Sequence, residues 1–323
     1  MISVIIPIYN RERYIERCLS SLFAQTLKQI EFVFVDDCST DGSFDKLTSS
    51  IEKYPELKNR VTVVRHDVNK GVAAARNTGL AHASKRYIGW VDVDDQVDPE
   101  IFENLYKKAE IEQADIVWSD YFNIYSDSKE LIDQDCKGDK RSIIIAFLKG
   151  RLIGSMWNKL FRRDLFFNNN IRFVEGLNMC EDLRVNISLF YYAEKFSYLN
   201  EAHYFYDKTL DNSISSKSST NQQVNVEWIE NVRGIVAFIE SVNLDISKLQ
   251  QDKFKLTPKK NLLVKGRTIE AFKEWKNIFP EANYSIRFTN YPIIYKLLAF
   301  VIDKEYWMFA RLWLVVKYNL LKR

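Results

Sequence analysis

Between residues 3 and 37 the chain contains the stretch SVIIPIYNRERYIERCLSSLFAQTLKQIEFVFVDD, in which the spacing of the apolar residues changes twice. Ser3–Ile8 is apolar almost throughout and rich in β-branched residues, which predicts a strand buried on both faces. Apolar residues at helical spacing predict a helix over Tyr14–Gln25, and Glu31–Val35 is a second buried strand by the same criterion. A strand, a helix and a strand in this order predict a βαβ unit with parallel strands.

The same alternation continues over the next eighty residues. It predicts three further helices and three further strands, namely helices at Phe44–Tyr54, Val72–Ser84 and Pro99–Gln113 and strands at Val61–Arg65, Tyr87–Val91 and Ile116–Ser119. We therefore expect an α/β domain with a central, mostly parallel sheet and helices on both of its faces.

The alternation stops near residue 217. Lys217–Asn225 is polar and has the composition of a connector, and the spacing of apolar residues predicts helices at Val226–Val242 and Leu262–Ile278. We therefore place the α/β domain at residues 1–215 and a C-terminal α-helical extension at residues 216–323.

Composition limits the classes of protein to which the chain can belong. Its 323 residues are 46% hydrophobic, which supports a sizeable core and excludes general disorder, and its net charge of +3 is too small to indicate nucleic-acid binding. Four cysteines without CxxC spacing disfavour a zinc site or a disulfide scaffold and fit a reducing compartment. The chain shows no export signal and no apolar run of about 20 residues, so we expect a cytoplasmic protein that does not span a membrane.

Acidic residues follow three of the four parallel strands. Tyr9-Asn10 comes after the first strand, Asp36-Asp37 after the second, His66-Asp67 after the third and Asp92–Asp95 after the fourth. In sheets of this kind, ligands bind beyond the carboxyl ends of the strands. The patterns GxGxxG and GxxxxGK[ST] are absent, which disfavours a dinucleotide fold and the phosphate loop of ATPases.

The three aspartates Asp92, Asp94 and Asp95 repel one another if nothing neutralises them. A Mg²⁺ or Mn²⁺ ion removes that conflict, because it takes one or two carboxylates and completes its shell with water and phosphate oxygens. The cluster therefore indicates a metal-bridged diphosphate. The alternative is a solvated turn in which Asp95 or Asp98 caps the helix that starts near Pro99.

The loops after the other strands offer groups that suit a nucleotide. Tyr9 either stacks on a base or packs as a half-buried aromatic residue, and Asp37 either accepts a hydrogen bond from a pyrimidine N3–H or bonds to its own turn. Asn69-Lys70-Gly71 opens a helix whose N-terminus suits phosphate, and Arg76 either reaches the nucleotide or packs beside it.

Four ordered motifs resemble those of glycosyltransferase family 2: SVIIPIYN at residues 3–10, VDDCSTDGS at 35–43, NKGVAAARN at 69–77 and VDVDD at 91–95. The resemblance covers residues 3 to about 215 and implies an inverting enzyme of the GT-A fold. It implies a nucleotide-sugar donor, with Mn²⁺ or Mg²⁺ held by Asp92 and Asp94. The donor-binding residues that it implies are Pro7, Tyr9, Asp37, Asn69, Arg76, Asp92, Asp94 and Asp95.

The resemblance extends to a catalytic base. Glu181-Asp182 matches the Glu-Asp motif of the family, so Asp182 is predicted to remove the proton of the acceptor hydroxyl and Glu181 to lie near the acceptor or the diphosphate. The alternative for Asp182 is an acid in the first turn of a helix, where the helix dipole favours it.

A second segment of the acceptor half resembles one seen in many bacterial members. It contains Trp157 and Lys159, which allow two interpretations. In the first, Trp157 forms an apolar wall for a sugar and Lys159 meets the diphosphate. In the second, Trp157 belongs to the core, and Arg162 and Arg163 form a solvated basic run. Tyr204-Phe-Tyr206-Asp207 departs from the family pattern, in which a basic residue usually follows the second Tyr, and the polar stretch Asn212–Ser216 suggests a lid.

The C-terminal third is basic. Residues 216–323 contain 18 Lys and Arg against 10 Asp and Glu, a net charge of +8, whereas the remaining 28 and 33 leave −5 for residues 1–215. At helical pitch Lys296, Lys304 and Arg311 fall on one side of Ile286–Arg323, with apolar residues elsewhere. This pattern predicts either a helix in a membrane interface or a helix packed on the catalytic domain.

We therefore expect a metal-dependent hexosyltransferase of polysaccharide biosynthesis. The predicted donor is a UDP-sugar, the predicted acceptor is a glycan or lipid-linked glycan, and the predicted location is the cytoplasm, with association at the inner face of the membrane. One alternative is an inactive nucleotide-sugar-binding protein. A DxD phosphatase is disfavoured because Gln96 stands where Thr or Val is expected, and a nucleotidyltransferase because a glycine-rich loop is missing.

Overall fold

The computed structural model describes residues 1–209 and 222–320. The chain divides into two compact units, Met1–Ser213 and Ile214–Arg323. The predicted lid at Asn212–Ser216 and the predicted domain boundary after residue 215 lie outside the described residues.

The described part of the first unit contains one sheet of nine strands in the order β3-β2-β1-β4-β8-β6-β9-β5, with β7 paired to β6. The strands are β1 (Ile2–Ile8), β2 (Ile30–Asp36), β3 (Val61–Arg65), β4 (Tyr87–Trp90), β5 (Gln96–Val97), β6 (Ile116–Ile124), β7 (Lys129–Ile132), β8 (Lys159–Arg162) and β9 (Phe196–Asp207). Strands β1 to β4 are parallel, as are β6 and β9, whereas β8 runs antiparallel to β4 and β6. Because the antiparallel pairings are short, the sheet is mostly parallel, and the predicted α/β fold is confirmed.

The helices of this unit connect the strands as the alternation predicts. They are α1 (Ile15–Phe23), α2 (Ser43–Ile51), α3 (Val72–His82), α4 (Ile101–Glu112), α5 (Lys140–Leu148), α6 (Arg163–Asn168) and α7 (Glu181–Tyr192). Helix α3 approaches β1 closely, because a Cβ at Gly79 would lie 2.3 Å from Ile5 Cγ2. This close packing fixes the height at which α3 crosses the sheet and so positions Arg76.

The carboxyl ends of the four parallel strands lie along one edge of the sheet. Strand β1 ends next to Tyr9, β2 next to Asp37, β3 next to His66 and β4 just before Asp92. Strand β1 is buried along almost its whole length, so its apolar sequence is explained by packing on both faces. The edge therefore gathers the loops that the sequence singled out.

The second unit is helical in its described residues. Its helices are α8 (Gln222–Ser241), α9 (Lys248–Lys255), α10 (Lys260–Val264), α11 (Ile269–Asn277), α12 (Ile293–Asp303) and α13 (Trp307–Leu320). The helix predicted at Leu262–Ile278 is two helices, because a new helix begins after Thr268, whose hydroxyl caps α11 by accepting from Ala271 N at 3.1 Å.

The prediction of one basic side along Ile286–Arg323 is wrong. Helix α12 ends at Asp303, and Glu305 adopts a left-handed φ of 60° before α13 begins. Lys296 and Arg311 therefore belong to different helices, and Lys304 lies at the junction between them. In the part of the chain that the structure describes, no helix combines the length and the apolar character needed to cross a membrane.

Candidate active site

The loop after β4 presents two carboxylates that each meet an arginine. Asp94 Oδ2 accepts a hydrogen bond from Arg11 Nε at 3.1 Å, and Asp92 Oδ1 lies 3.5 Å from Arg76 Nη2. Burial raises the pKa of Asp92 to about 6; the Arg76 guanidinium opposes this rise and the Asp94 carboxylate adds to it. The loop is thus a site of concentrated negative charge, only partly neutralised by the protein.

Asp95 anchors this loop to strand β9. It is buried, and it accepts hydrogen bonds from the Tyr204 hydroxyl at 2.7 Å and from the Asp207 backbone N–H at 2.9 Å. Burial raises the pKa of Asp95 well above its usual range, and Asp94 and Asp92 raise it further. In this structure Asp95 is therefore bound to β9. It neither caps α4 nor offers a free carboxylate for the donor contact that the resemblance implies.

The residues of the loop fit a divalent cation that is shared with a phosphate ligand. Among residues 1–209 and 222–320, no group of three or more His, Cys, Asp or Glu side chains is arranged to hold a metal ion. Asp92 and Asp94 nevertheless supply two carboxylates whose side chains are 31% and 20% exposed, and Mg²⁺ requires only one or two beside substrate phosphates. The donor set therefore fits Mg²⁺ or Mn²⁺ on a diphosphate, and it does not fit a cation held by protein alone.

Arg76 joins the loop after β4 to helix α7. Its guanidinium is buried; Nη1 donates to Glu181 Oε1 and lies 2.6 Å from Asp182 Oδ1. Burial lowers the pKa of Arg76, but the three carboxylates around it reverse this effect and raise its pKa, so it stays charged. Of the two interpretations of Arg76, the structure favours the one in which Arg76 packs beside the nucleotide site. Its guanidinium holds Asp92, Glu181 and Asp182 in one cluster.

Asp182 has the electrostatic character of a base. Burial raises the pKa of Asp182, against the opposing effect of the cations Arg76 and Lys159. Its Oδ1 is buried and forms an ion pair with Arg76 Nη1 at 2.6 Å. Burial likewise raises the pKa of Glu181 to about 8, and the Asp182 charge contributes. A carboxylate whose pKa is raised by burial is a stronger base than an exposed one, which suits Asp182 to accept a proton.

Trp157 and Lys159 are both buried. Trp157 stacks on Tyr204 with ring centroids 4.2 Å apart, so the interpretation of Trp157 as a core residue is favoured. Burial lowers the pKa of Lys159 to about 7. Its Nζ donates to three protein oxygens: Ile153 O at 2.9 Å, Ser155 O at 2.7 Å and Asn158 Oδ1 at 2.6 Å. Its three donors are thus used within the protein, which leaves none for the predicted diphosphate contact.

Asp37 organises the turn that leads into α3. Its carboxylate accepts hydrogen bonds from Lys70 N at 2.9 Å and from Gly71 N at 2.7 Å, and Oδ1 lies 2.7 Å from His66 Nδ1. Asn69 Nδ2 donates to the Asp37 carbonyl at 3.2 Å. The side chain of Asp37 is 3% exposed, and its carboxylate already accepts hydrogen bonds from the turn. The predicted hydrogen bond from a pyrimidine N3–H would have to be made by this same carboxylate.

Tyr9 is the most accessible of the predicted donor-binding residues on β1 and its loop. It is 44% exposed at the carboxyl end of the strand, where a flat ligand can stack on its ring. Pro7 lies inside β1, in register with Val35. Tyr9 therefore remains a candidate for stacking, and a role for Pro7 stays a prediction.

Two arginines that the sequence did not single out touch the Asp94 segment. Arg11 bonds the Asp94 carboxylate, and Arg17 on α1 donates to the Asp94 carbonyl and, at 3.0 Å, to Asp207 Oδ2. Asp207 is the position where the sequence departs from the family pattern, and Arg17 places a positive charge beside it. Nothing in the spacing of α1 indicated these contacts. His66 was identified from the sequence as following the third strand, but its contact with Asp37 was not predicted.

A sequence profile described as glycosyl transferase family 2 matches residues 3–167, half of the chain. The chain is 35% identical over 213 residues to the uncharacterized glycosyltransferase EpsJ of Bacillus subtilis (strain 168), covering 64% of this chain and 60% of that protein. It is 28% identical over 300 residues to a poly(ribitol-phosphate) beta-glucosyltransferase of Bacillus spizizenii (strain ATCC 23059 / NRRL B-14472 / W23), covering 85% and 43% respectively. The chain thus spans less than two thirds of these relatives.

Solved structures share the fold. Staphylococcus aureus TarS 1-349 in complex with UDP-GlcNAc matches with a TM-score of 0.68 and 21% identity, over 95% of this chain and 91% of that one. The mannosyltransferase PcManGT from Pyrobaculum calidifontis, in complex with GDP-Man and Mn²⁺, matches with a TM-score of 0.55 and 16% identity, over 99% and 84%. At these identities the likeness shows the fold alone.

Proposed function

The chain belongs to glycosyltransferase family 2, and from this membership we propose that it is an inverting, metal-dependent glycosyltransferase. The reaction is transfer of a sugar from a nucleoside-diphosphate donor to a hydroxyl of a glycan in polysaccharide biosynthesis. The observation that carries the proposal is the Arg76 cluster, in which one buried cation brings Asp92 and Asp182 together from segments that are distant in the sequence.

We propose a UDP-sugar as donor. The TarS structure, which shares this fold, contains UDP-GlcNAc, and Tyr9 offers an exposed ring for the base. Asp37 and Asn69 shape the turn before α3, whose N-terminal N–H groups suit a diphosphate. Asp92 and Asp94 would hold the cation, which would supply positive charge to the leaving diphosphate. Its identity is Mn²⁺ or Mg²⁺; the PcManGT complex contains Mn²⁺.

Asp182 removes the proton of the acceptor hydroxyl. As that proton moves to the carboxylate, the hydroxyl oxygen bonds to the anomeric carbon and the bond from that carbon to the diphosphate oxygen breaks. Arg76 holds Asp182 and keeps it beside Asp92, so the base and the diphosphate site are fixed relative to each other. The nucleoside diphosphate leaves with the electron pair of the broken bond.

We propose that the acceptor is a glycan or a lipid-linked glycan. We also propose that the protein associates with the inner face of the membrane. The poly(ribitol-phosphate) in the name of the Bacillus spizizenii relative supports a polymeric acceptor. The basic excess of residues 216–323 suits an anionic surface.

Donor binding can be tested by thermal shift. We expect a UDP-sugar with Mn²⁺ to raise the melting temperature, because a ligand that binds only the folded state stabilises it by mass action. Each nucleotide sugar is measured with Mn²⁺ and with a chelator. No shift with any nucleotide sugar in the presence of Mn²⁺ would contradict the proposed donor class, and an equal shift in the presence of the chelator would contradict the metal requirement.

We predict that Arg11→Gln strengthens Mn²⁺ binding. The Arg11 guanidinium and a cation at Asp94 compete for the same Oδ2, so removing the partly exposed ion pair favours the cation by up to about 1 kcal/mol, a factor of about five. The titration of Mn²⁺ by electron paramagnetic resonance, with UDP present, measures this affinity without turnover.

The matched control is Arg13→Gln, which removes the same charge from an exposed position on the same turn. Both variants remove one positive charge from the same turn, but only Arg11 contacts Asp94. Equal Mn²⁺ affinities in the two variants would refute competition by Arg11.

A further inference from the structure

Helices α12 and α13 expose nine large apolar side chains, and clustered exposed apolar side chains mark interaction or membrane sites. On α12 the exposed residues recur at helical spacing on the side opposite the buried Leu298 and Ile302. They are Ile293, Ile294, Leu297 and Phe300.

Helix α13 continues the pattern with a second exposed apolar face. Ala310 is buried on the opposite side, and Trp313 packs towards α12 with its ring centroid 6.3 Å from that of Tyr295. The exposed residues of α13 are Met308, Phe309, Leu312, Val315 and Val316. Together with the four residues of α12 they form what we call the α12–α13 apolar surface, whose members are between 45% and 74% exposed.

Basic residues accompany this surface. Lys304 lies at the end of the exposed face of α12, and Arg311 lies at the edge of the exposed face of α13, and both are exposed. Of the two acids nearest to them in the sequence, Glu305 is paired with Lys276, and Asp303 accepts a hydrogen bond from Asn283 Nδ2 at 3.2 Å. Lys304 and Arg311 therefore present their positive charge beside the apolar side chains. Apolar side chains with basic residues beside them are the composition of helices that lie in the interface of anionic membranes.

We propose that the α12–α13 apolar surface docks on an anionic lipid bilayer, with the exposed apolar side chains at the level of the acyl chains and Lys304 and Arg311 at the phosphate groups. The two short helices lie on the membrane without crossing it, in keeping with the lengths of α12 and α13. This inference rests on the membrane association proposed above and names the surface and the lipid charge that produce it.

Vesicle flotation of the full chain tests the proposal. Vesicles of phosphatidylcholine with about 30% phosphatidylglycerol, whose surface potential is negative, are compared with vesicles of phosphatidylcholine alone. We expect binding to the anionic vesicles only. Leu297→Ser with Leu312→Ser should abolish it, and Arg311→Glu should weaken it roughly fivefold or more.

The matched control is Ile111→Ser with Leu131→Ser, which removes two exposed apolar side chains from the first unit and should leave flotation unchanged. Equal binding to both vesicle types, or unchanged flotation of the Leu297/Leu312 variant, overturns the proposal. A second copy of the chain as the occupant would instead appear as a dimer in analytical ultracentrifugation that the same variant dissociates. Donor-induced thermal shift of each variant reports separately on the proposed enzymatic function, so the two can fail independently.

Discussion

Asp182→Asn is expected to lower the rate of glycosyl transfer by about 10²- to 10⁴-fold, the usual contribution of a positioned general base. Asparagine has nearly the shape of aspartate but cannot take the proton of the acceptor hydroxyl. The affinity for the donor should remain near that of the natural chain, because the substitution leaves Asp92 and Asp94 in place. Initial rates of transfer and a titration with UDP in the presence of Mn²⁺ measure the two effects.

The control for this variant is Asp164→Asn. Asp164 is an exposed acid in the first turn of α6, so it has the role that the alternative interpretation assigns to Asp182. If Asp182 only complements the dipole of α7, the two substitutions will have similarly small effects on transfer. An active Asp182→Asn enzyme would therefore remove Asp182 as the base, whereas a selective loss of transfer separates catalysis from helix stability.

The electrostatics of the cluster add a check on folding. Asp182→Asn removes one of the three carboxylates around Arg76, but Glu181 and Asp92 remain to pair with this buried cation. We therefore expect the variant to fold, with at most a modest loss of stability. Arg76→Met is different, because it leaves buried carboxylates without a cation, a change that typically costs about 3–5 kcal/mol. For this reason Asp182, and not Arg76, is the informative position for kinetics.

The part of the fold that the sequence predicts well is the part buried on both faces. Strands β1 to β4 consist of apolar runs between turn residues, so each was found to within about two residues of its bounds. Strand β9 was not predicted, because its side chains alternate irregularly between buried and exposed and include several polar residues. Its pairing with β6 depends on tertiary contacts that no local pattern records.

In the candidate site too, local sequence patterns predict some residues, whereas contacts between distant segments cannot be predicted from them. The positions of Tyr9, Asp37 and Asp92 came from the rule that ligands bind at the carboxyl ends of parallel strands. The arginine contacts could not be found in this way, because Arg11 is 83 residues from Asp94 in the chain and Arg17 is 190 residues from Asp207. Lys159 shows the converse limit, since a lysine in a motif looks like a ligand for phosphate until its burial is known.

Asp94→Ala is expected to abolish the metal-dependent part of donor binding. Asp94 provides one of the two partly exposed carboxylates in the loop, so without it the cation loses one of the two protein ligands that the loop offers beside phosphate oxygens. A calorimetric titration of UDP with Mn²⁺, repeated with a chelator, measures the metal-dependent part as the difference between the two affinities. The control is Asp98→Ala, which removes the same charge close by, where the Asp98 carboxylate accepts from Glu100 N.

The titrations with Mn²⁺ and with chelator are both needed, because Asp94→Ala also removes the carboxylate partner of Arg11. Without Asp94, the Arg11 guanidinium loses its carboxylate partner and is able to bind a phosphate of UDP, so the affinity measured with chelator should stay the same or rise. The affinity in the presence of Mn²⁺ should fall to that same value. If Asp94→Ala still gains affinity from Mn²⁺ as the natural chain does, the cation is held elsewhere and the assignment of Asp94 as its ligand is wrong.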